Sequence, residues 1–188
     1  MTLEELEEKV RLLDDIEQIK QLMSNYTYSL DYRELDKLMD NFVDDSKIEI
    51  RVRGALEKGV LAPGEGTYAP SKGTFEATFN GKKAIEELYS SMLPEKPPSP
   101  EKNPFASAHL ISNPAITVQG EKAKGRWYLL CPYTSQKPEG PAAVWEQGTY
   151  DNEFVKVNGE WKISSFRFTF NFYTPYEDGW AKTLMAGL

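Results

Sequence analysis

Residues 143–173, AVWEQGTYDNEFVKVNGEWKISSFRFTFNFY, decide the class of the fold. They contain two runs, 143–157 and 161–173, that are rich in β-branched and aromatic residues. An Asn158-Gly159 pair separates the runs, and such a pair favours a two-residue hairpin because both residues tolerate positive φ. The stretch therefore predicts two long strands that pair antiparallel.

Strand-like runs continue on the N-terminal side of this stretch. Runs at 105–112, 115–118 and 123–132 have strand composition, and Gln119-Gly120 is a second turn pair. A further run, 47–53, alternates charged and apolar residues and predicts another strand. Most of the sheet is therefore expected to be an antiparallel meander.

The chain begins with a helical pattern. Thr2 and Glu5 have the spacing of a capping box, and apolar residues then recur every three or four positions from Leu3 to about Leu30. The strongly charged segment 1–15 is expected to extend this helix beyond the domain or against another subunit. The pattern predicts one long amphipathic helix.

Shorter elements are predicted between this helix and the meander. Asp31 and Glu34 resemble a second capping box, at the start of a short helix that continues to Phe42. The segment 54–79 begins with many Gly and Pro residues and predicts a loop or a hairpin insertion. A third helix is predicted from about Gly81 to Leu93.

Helices that precede an antiparallel meander are typical of an α+β fold. The chain has 188 residues, a length that suits one domain with a sizeable core. We therefore expect residues 1–188 to form a single α+β domain.

Composition excludes several classes of function. A net charge of -7 argues against nucleic-acid binding, which needs a clustered positive field. No run approaches the roughly 18 apolar residues of a membrane span, so a cytoplasmic protein is expected. One cysteine, Cys131, and one histidine, His109, leave no Cys/His cluster for a metal, and no glycine-rich phosphate loop is present. We expect neither metal nor organic cofactor.

Short motifs along the chain identify a family. They are Ile16-Glu17-Gln18-Ile19-Lys20, Asn25-Tyr26, Leu30-Asp31, Ala108-His109, Gly125-Arg126-Trp127-Tyr128 and Gly148-Thr149-Tyr150. Together they resemble the SnoaL-like proteins of the nuclear transport factor 2-like superfamily, over nearly the whole chain. The resemblance implies a cone-shaped α+β barrel, with N-terminal helices packed on a curved, mostly antiparallel sheet that encloses a pocket. It also implies a small hydrophobic ligand and a homo-oligomer, either a dimer or a trimer.

Enzymes of this family include scytalone dehydratase, bile acid 7α-dehydratase and the hexachlorocyclohexane dehydrochlorinases, which eliminate HX from a ring with a His–Asp pair. Asp31 and His109 occupy the places of that pair in this sequence, and Tyr26 matches a tyrosine that donates a hydrogen bond to the substrate. A neutral imidazole held by a carboxylate is a suitable base for β-elimination. Cys131 stands where the bile acid enzyme has a further carboxylate, so the match identifies no acid for the leaving group.

Each of these residues also has a structural interpretation. His109 could bind a backbone carbonyl, Asp31 could only cap the second helix, and Tyr26 could belong to the core. Further candidates for substrate binding are Trp127, Tyr128, Tyr150, Arg167 and Asn171.

Two functions follow from the sequence. The first is a cofactor-independent lyase or isomerase that acts on a small, hydrophobic cyclic substrate, with the dehydratase-like chemistry of a His–Asp dyad. The second is a non-catalytic small-molecule-binding protein or structural subunit of the same fold, similar to the β-subunits of ring-hydroxylating dioxygenases.

Overall fold

The computed structural model describes residues 1–53, 74–93, 106–137 and 140–183. Helix α1 (Leu3–Asp31) is the predicted long helix, and both hydrogen bonds of its capping box are present between Thr2 and Glu5. Side chains 1–14 are exposed, and the buried face begins near Ile19. No described helix has the length and apolar character needed to cross a membrane.

The second helix differs from its prediction. Helix α2 (Leu35–Met39) is a single short turn whose N-cap is Glu34, without a side-chain cap. Asp31 is the last residue of α1, and its carboxylate bonds to the distant His109 instead of capping α2. The predicted capping box is therefore wrong, because a tertiary contact takes the carboxylate.

Strand β1 (Phe42–Arg53) begins earlier than the predicted run 47–53 and includes the segment Asp44-Asp45-Ser46, whose residue types usually interrupt a strand. The Ser46 hydroxyl donates to the carbonyl of Ile163, 117 residues further along the chain. This long-range pairing overrides the local breaking tendency of the segment. Strand β2 (Thr74–Asn80) pairs antiparallel with β1, and helix α3 (Lys82–Met92) follows it. The rest of the predicted loop or hairpin, 54–73, lies outside the described residues.

The remaining strands are β3 (Leu110–Gln119), β4 (Lys122–Lys137), β5 (Gly140–Val157) and β6 (Glu160–Pro175), followed by the short helix α4 (Gly179–Lys182). Two predicted runs merge into β3 through an irregularity between Ser112 and Ala115. Asn158 and Gly159 both have positive φ, as the predicted hairpin turn requires.

The six strands form one sheet in the order β2-β1-β6-β5-β4-β3. Only β1 and β6 are parallel neighbours, so the predicted α+β class with a mostly antiparallel sheet is confirmed. The sheet is not closed: β2 and β3 are its two edges within the described residues. The barrel is therefore an open cone, and α1 and α3 cover its concave side.

A β-bulge decides which side chains of β6 enter the core. Phe168 and Phe170 face inward, but Asn171 has no partner because Gly148 pairs with Phe170 and Gln147 with Phe172. The extra residue reverses the alternation, so Phe172 points outward. Strict alternation along β6 would place Phe172 on the same face as Phe168 and Phe170, and the bulge is the reason that it does not lie there.

Candidate active site

A cavity of about 690 Å³ lies between the inner face of the sheet and helices α1 and α3. Its walls are mainly apolar and aromatic. The apolar part includes Leu30, Ile48, Leu88, Phe166, Phe168 and Phe170. Polar groups also line the cavity, and they include His109, Glu146 and the hydroxyls of Tyr26 and Tyr89. A cavity of this size and composition suits a small ring system.

His109 and Asp31 are in direct contact at one end of this cavity. The Nδ1 atom of His109 lies 2.6 Å from Oδ1 of Asp31, and the backbone N–H of His109 donates to Oδ2 at 3.0 Å. The side chain of Ser107 also contributes to lowering the pKa of this carboxylate. His109 lines the cavity and Asp31 lies behind it, so the ring is held in place while Nε2 remains available.

The position of Asp31 is costly for α1 itself. A carboxylate in the last turn of a helix faces the negative end of the helix dipole, which destabilises it. The two hydrogen bonds from His109 offset this effect. Helix stability alone does not account for an aspartate at this position.

His109 and Asp31 also shift each other's pKa values. Burial alone would raise the pKa of Asp31, but the hydrogen bonds from His109 and Ser107 outweigh burial and hold the pKa below its usual value. Burial likewise disfavours the imidazolium of His109, yet the Asp31 carboxylate, together with the Cys131 side chain, outweighs burial and raises the pKa of His109 above its usual value. Asp31 thus strengthens His109 as a proton acceptor.

Tyr26 occupies the centre of an aromatic cluster on the helix side of the cavity. Its hydroxyl lies 2.8 Å from the hydroxyl of Tyr89, and its ring packs against Tyr150 and Phe166. Burial raises the pKa of both Tyr26 and Tyr89, so both phenols stay protonated. Since one hydroxyl must donate to the other, the second keeps a proton for a further acceptor in the cavity.

Glu146 is a site residue that the sequence interpretation missed. It lies on the inner face of β5, where its direct partner on β4 is Cys131 and its partner on β6 is Tyr173. Burial in the apolar cavity raises the pKa of Glu146 to about 7, and the nearby His109 reduces this rise. The sequence did contain a signal for this position. Glu146 is separated from Val144 and Tyr150 by even numbers of residues, so it shares their strand face, which is otherwise apolar.

Cys131 is buried between these groups. Burial is the main cause that raises the pKa of its thiol, so the side chain stays protonated at neutral pH. It lies in register between His109 and Glu146, and its side chain also interacts with the imidazole of His109.

The other predicted substrate-binding residues have different positions. Tyr150 lines the cavity. Tyr128 is 53% exposed on the outer face of β4, and Trp127, although buried on the inner face, packs on Phe154 away from the cavity. A one-residue step along a strand reverses the face, which accounts for Tyr128.

Arg167 and Asn171 also lie outside the cavity lining. Arg167 faces the outer side of β6 and donates from Nε to Oε2 of Glu49. Asn171 is the extra residue of the bulge and donates to Gln147 at 3.0 Å. Both were predicted to bind substrate, but their side chains are occupied by neighbouring strands.

The described ranges contain no group of three His, Cys, Asp or Glu side chains arranged to hold a metal ion. The expectation of a reaction without metal or organic cofactor remains a prediction. The structure thus presents a paired imidazole, a phenol pair and a carboxyl around one apolar cavity.

Comparison with known proteins agrees with this architecture. A family model described as the SnoaL-like domain matches residues 11–167. Among solved structures, a provisionally assigned scytalone dehydratase from Novosphingobium aromaticivorans is 23% identical, with a TM-score of 0.59 over 87% of this chain and 89% of that one. The hexachlorocyclohexane dehydrochlorinase LinA-type3 from Novosphingobium barchaimii LL02 is 19% identical, with a TM-score of 0.61 over 89% and 93%. Identities this low establish similarity of fold alone.

Proposed function

We propose that this protein, which belongs to the SnoaL-like domain family, is a lyase that eliminates a proton and a leaving group from a small, largely apolar ring without a cofactor. One observation carries the proposal: the only imidazole of the chain lines an apolar cavity while its Nδ1 is held 2.6 Å from a carboxylate. The similarity in fold to a provisionally assigned dehydratase and to a dehydrochlorinase supports the reaction class.

His109 is the base in this proposal. In the neutral form of His109, with the Nδ1 proton donated to Asp31, the lone pair on Nε2 can accept a proton from a substrate carbon. The Asp31 carboxylate then stabilises the imidazolium that forms, and the fixed ring avoids a reorientation during the step. Asp31 does not need to take up the proton itself.

The Tyr26–Tyr89 pair can stabilise negative charge that develops on a substrate in the same cavity. Removal of a proton next to a carbonyl places charge on the carbonyl oxygen, and a phenol that stays protonated can donate to it. A hydrogen bond between the two phenols supports the donor as that charge grows. Tyr26 therefore binds the substrate directly or through Tyr89.

The test uses ring ketones that carry a leaving group two carbons from the carbonyl carbon, assayed for elimination after exhaustive chelation. His109→Gln keeps a polar side chain but removes the base, so we expect kcat to fall about 10²–10⁴-fold with little change in binding. Glu153→Gln, an exposed change on the outer face of β5, is the matched control and should leave turnover unchanged.

The same experiment distinguishes the alternative function. If wild type and His109→Gln bind the ketones equally and neither turns them over, the protein is a binding module of the same fold. Turnover that survives His109→Gln would contradict the proposed base, and activity restored to chelated protein by one metal would contradict cofactor independence.

A further inference from the structure

Glu146 has no role in the mechanism described so far, although it faces the same cavity. Among the described residues that line the cavity, it is the one carboxyl. Part of its side-chain surface is accessible because it borders the cavity. The surroundings of the carboxyl are nevertheless protein and not bulk solvent. Within the described part of the chain, no side chain donates a hydrogen bond to Glu146 or forms an ion pair with it.

The register of the sheet places Glu146 in the same row of residues as the base, His109. Leu110 pairs with Leu130, so His109 follows in line with Cys131, and Cys131 pairs directly with Glu146. His109 and Glu146 therefore lie in one row across the sheet, separated by a single strand. Neighbouring strands are about 4.8 Å apart, so their backbones are roughly 10 Å apart, which leaves room for a ring between the two side chains.

The surroundings of Glu146 favour its uncharged form. The titratable groups that face it are phenols, a thiol and the imidazole, and the carboxylate behind that imidazole adds a like charge. They are Tyr26, Tyr133, Tyr150, Tyr173, Cys131 and His109, with Asp31 behind. Arg33 also lines the cavity and is engaged with another residue. A charged carboxylate without a partner is unfavourable in such a cavity. The pKa of Glu146 therefore rises to about 7, and the side chain stays protonated below that pH.

We propose that Glu146 is the acid that protonates the leaving group, and that the leaving group is a hydroxyl. This inference rests on the proposed function. The C–H bond breaks and its proton goes to Nε2 of His109, while its electron pair moves toward the carbonyl oxygen as an enolate. This pair forms the C=C bond as the C–O bond breaks, and the departing oxygen takes the proton of Glu146 and leaves as water. The imidazolium and the carboxylate that remain are reset when one proton returns from His109 to Glu146 through solvent.

The chemistry of the leaving group explains why a second carboxyl is useful. Hydroxide is a poor leaving group and needs a proton as the C–O bond breaks, whereas chloride leaves without one. A lyase that releases a halide gains nothing from an unpaired carboxyl in its cavity. A dehydratase does gain from such a carboxyl, because it supplies the proton for the departing oxygen. Glu146 offers this proton from the side of the ring opposite His109.

Substrate binding should favour the required proton arrangement. The pair His109 and Glu146 can hold one proton between them as imidazolium and carboxylate, or as neutral imidazole and neutral carboxyl. An apolar ring between them expels water, and this penalises the separated charges more than the neutral pair. The neutral pair is a base facing an acid, as the elimination requires.

The experiment compares two probes that differ only in the leaving group, 3-hydroxy-1-tetralone and 3-chloro-1-tetralone, both of which yield 1-naphthol on elimination. We expect Glu146→Gln to lower turnover of the hydroxy probe about 10²–10⁴-fold and that of the chloro probe by less than about threefold. His109→Gln should lower both, and the control Glu153→Gln neither. Infrared difference spectra between wild type and Glu146→Gln should show a protonated carboxyl that disappears as the pH passes about 7.

Each other outcome contradicts a defined part of the reasoning. Equal losses on both probes for Glu146→Gln, or no loss on either, would overturn the role of Glu146 and leave His109 as the base. If His109→Gln lost turnover of the hydroxy probe only and Glu146→Gln lost turnover of both probes, the roles of the two residues would be exchanged, contrary to the proposal. A wild type that binds both tetralones and converts neither would overturn the proposed function, and this inference with it. Absence of the carboxyl band at pH 6 would refute the acid independently of turnover.

Discussion

Replacement of Glu146 by glutamine should stabilise the protein at alkaline pH but not at acidic pH. The pKa of Glu146 rises from the ordinary 4.5 to about 7 in the folded chain because the cavity is apolar. Between these two values the folded protein holds a proton that the unfolded chain has released. Stability of the wild type therefore decreases as the pH rises through this window, and the full cost is present above about pH 7.

The size of the effect follows from the same two values. Each pKa unit corresponds to about 1.4 kcal/mol, so the rise from 4.5 to about 7 corresponds to roughly 3 kcal/mol of lost stability. Glutamine has nearly the same shape and never ionises, so its variant lacks this loss. For a protein of this size, about 3 kcal/mol corresponds to roughly 6–12 °C in Tm.

The assay is urea unfolding of wild type and Glu146→Gln from pH 4.5 to pH 9, followed by tryptophan fluorescence at fixed protein concentration. The difference in free energy of unfolding should grow in favour of the variant up to about pH 7 and then remain constant. Glu153→Gln, on the exposed face of the same strand, should show no such trend. A difference between wild type and Glu146→Gln that does not change with pH would refute the assignment of a neutral buried carboxyl.

Other substitutions test the site and its supports. Asp31→Asn removes the charge that raises the pKa of His109, so the rising limb of the pH profile of kcat/KM should move to lower pH. The plateau value of kcat/KM should also fall, but by less than it does in His109→Gln. Gly148→Ala places a Cβ too close to the ring of Phe168 and to the backbone oxygen of Thr169, and we expect a loss of about 1–3 kcal/mol in the free energy of unfolding by urea. Leu130→Lys charges an exposed apolar position on the outer face of the sheet, and light scattering should show dissociation of the predicted dimer or trimer.

The sequence by itself determined the order and type of most elements. Periodicity defined α1, and the positive φ of Asn158 and Gly159 was implied by their chemistry. These features depend on contacts between residues close in the chain, so local rules suffice. The pairing of Asp31 with His109 was suggested by family resemblance and not by any local pattern.

Only the tertiary structure decided which side chains meet in the cavity. A bulge at Asn171 reversed the alternation of β6, and Glu146 gained its place through its register with Cys131, which lies 15 residues away in the chain. Asp31 had two interpretations from the sequence, as a helix cap and as the partner of His109, and its contact with a residue 78 positions away distinguishes them. Strand register and bulges depend on long-range pairing that a single sequence does not encode locally, and each shift of one residue exchanges the inner and outer faces of a strand.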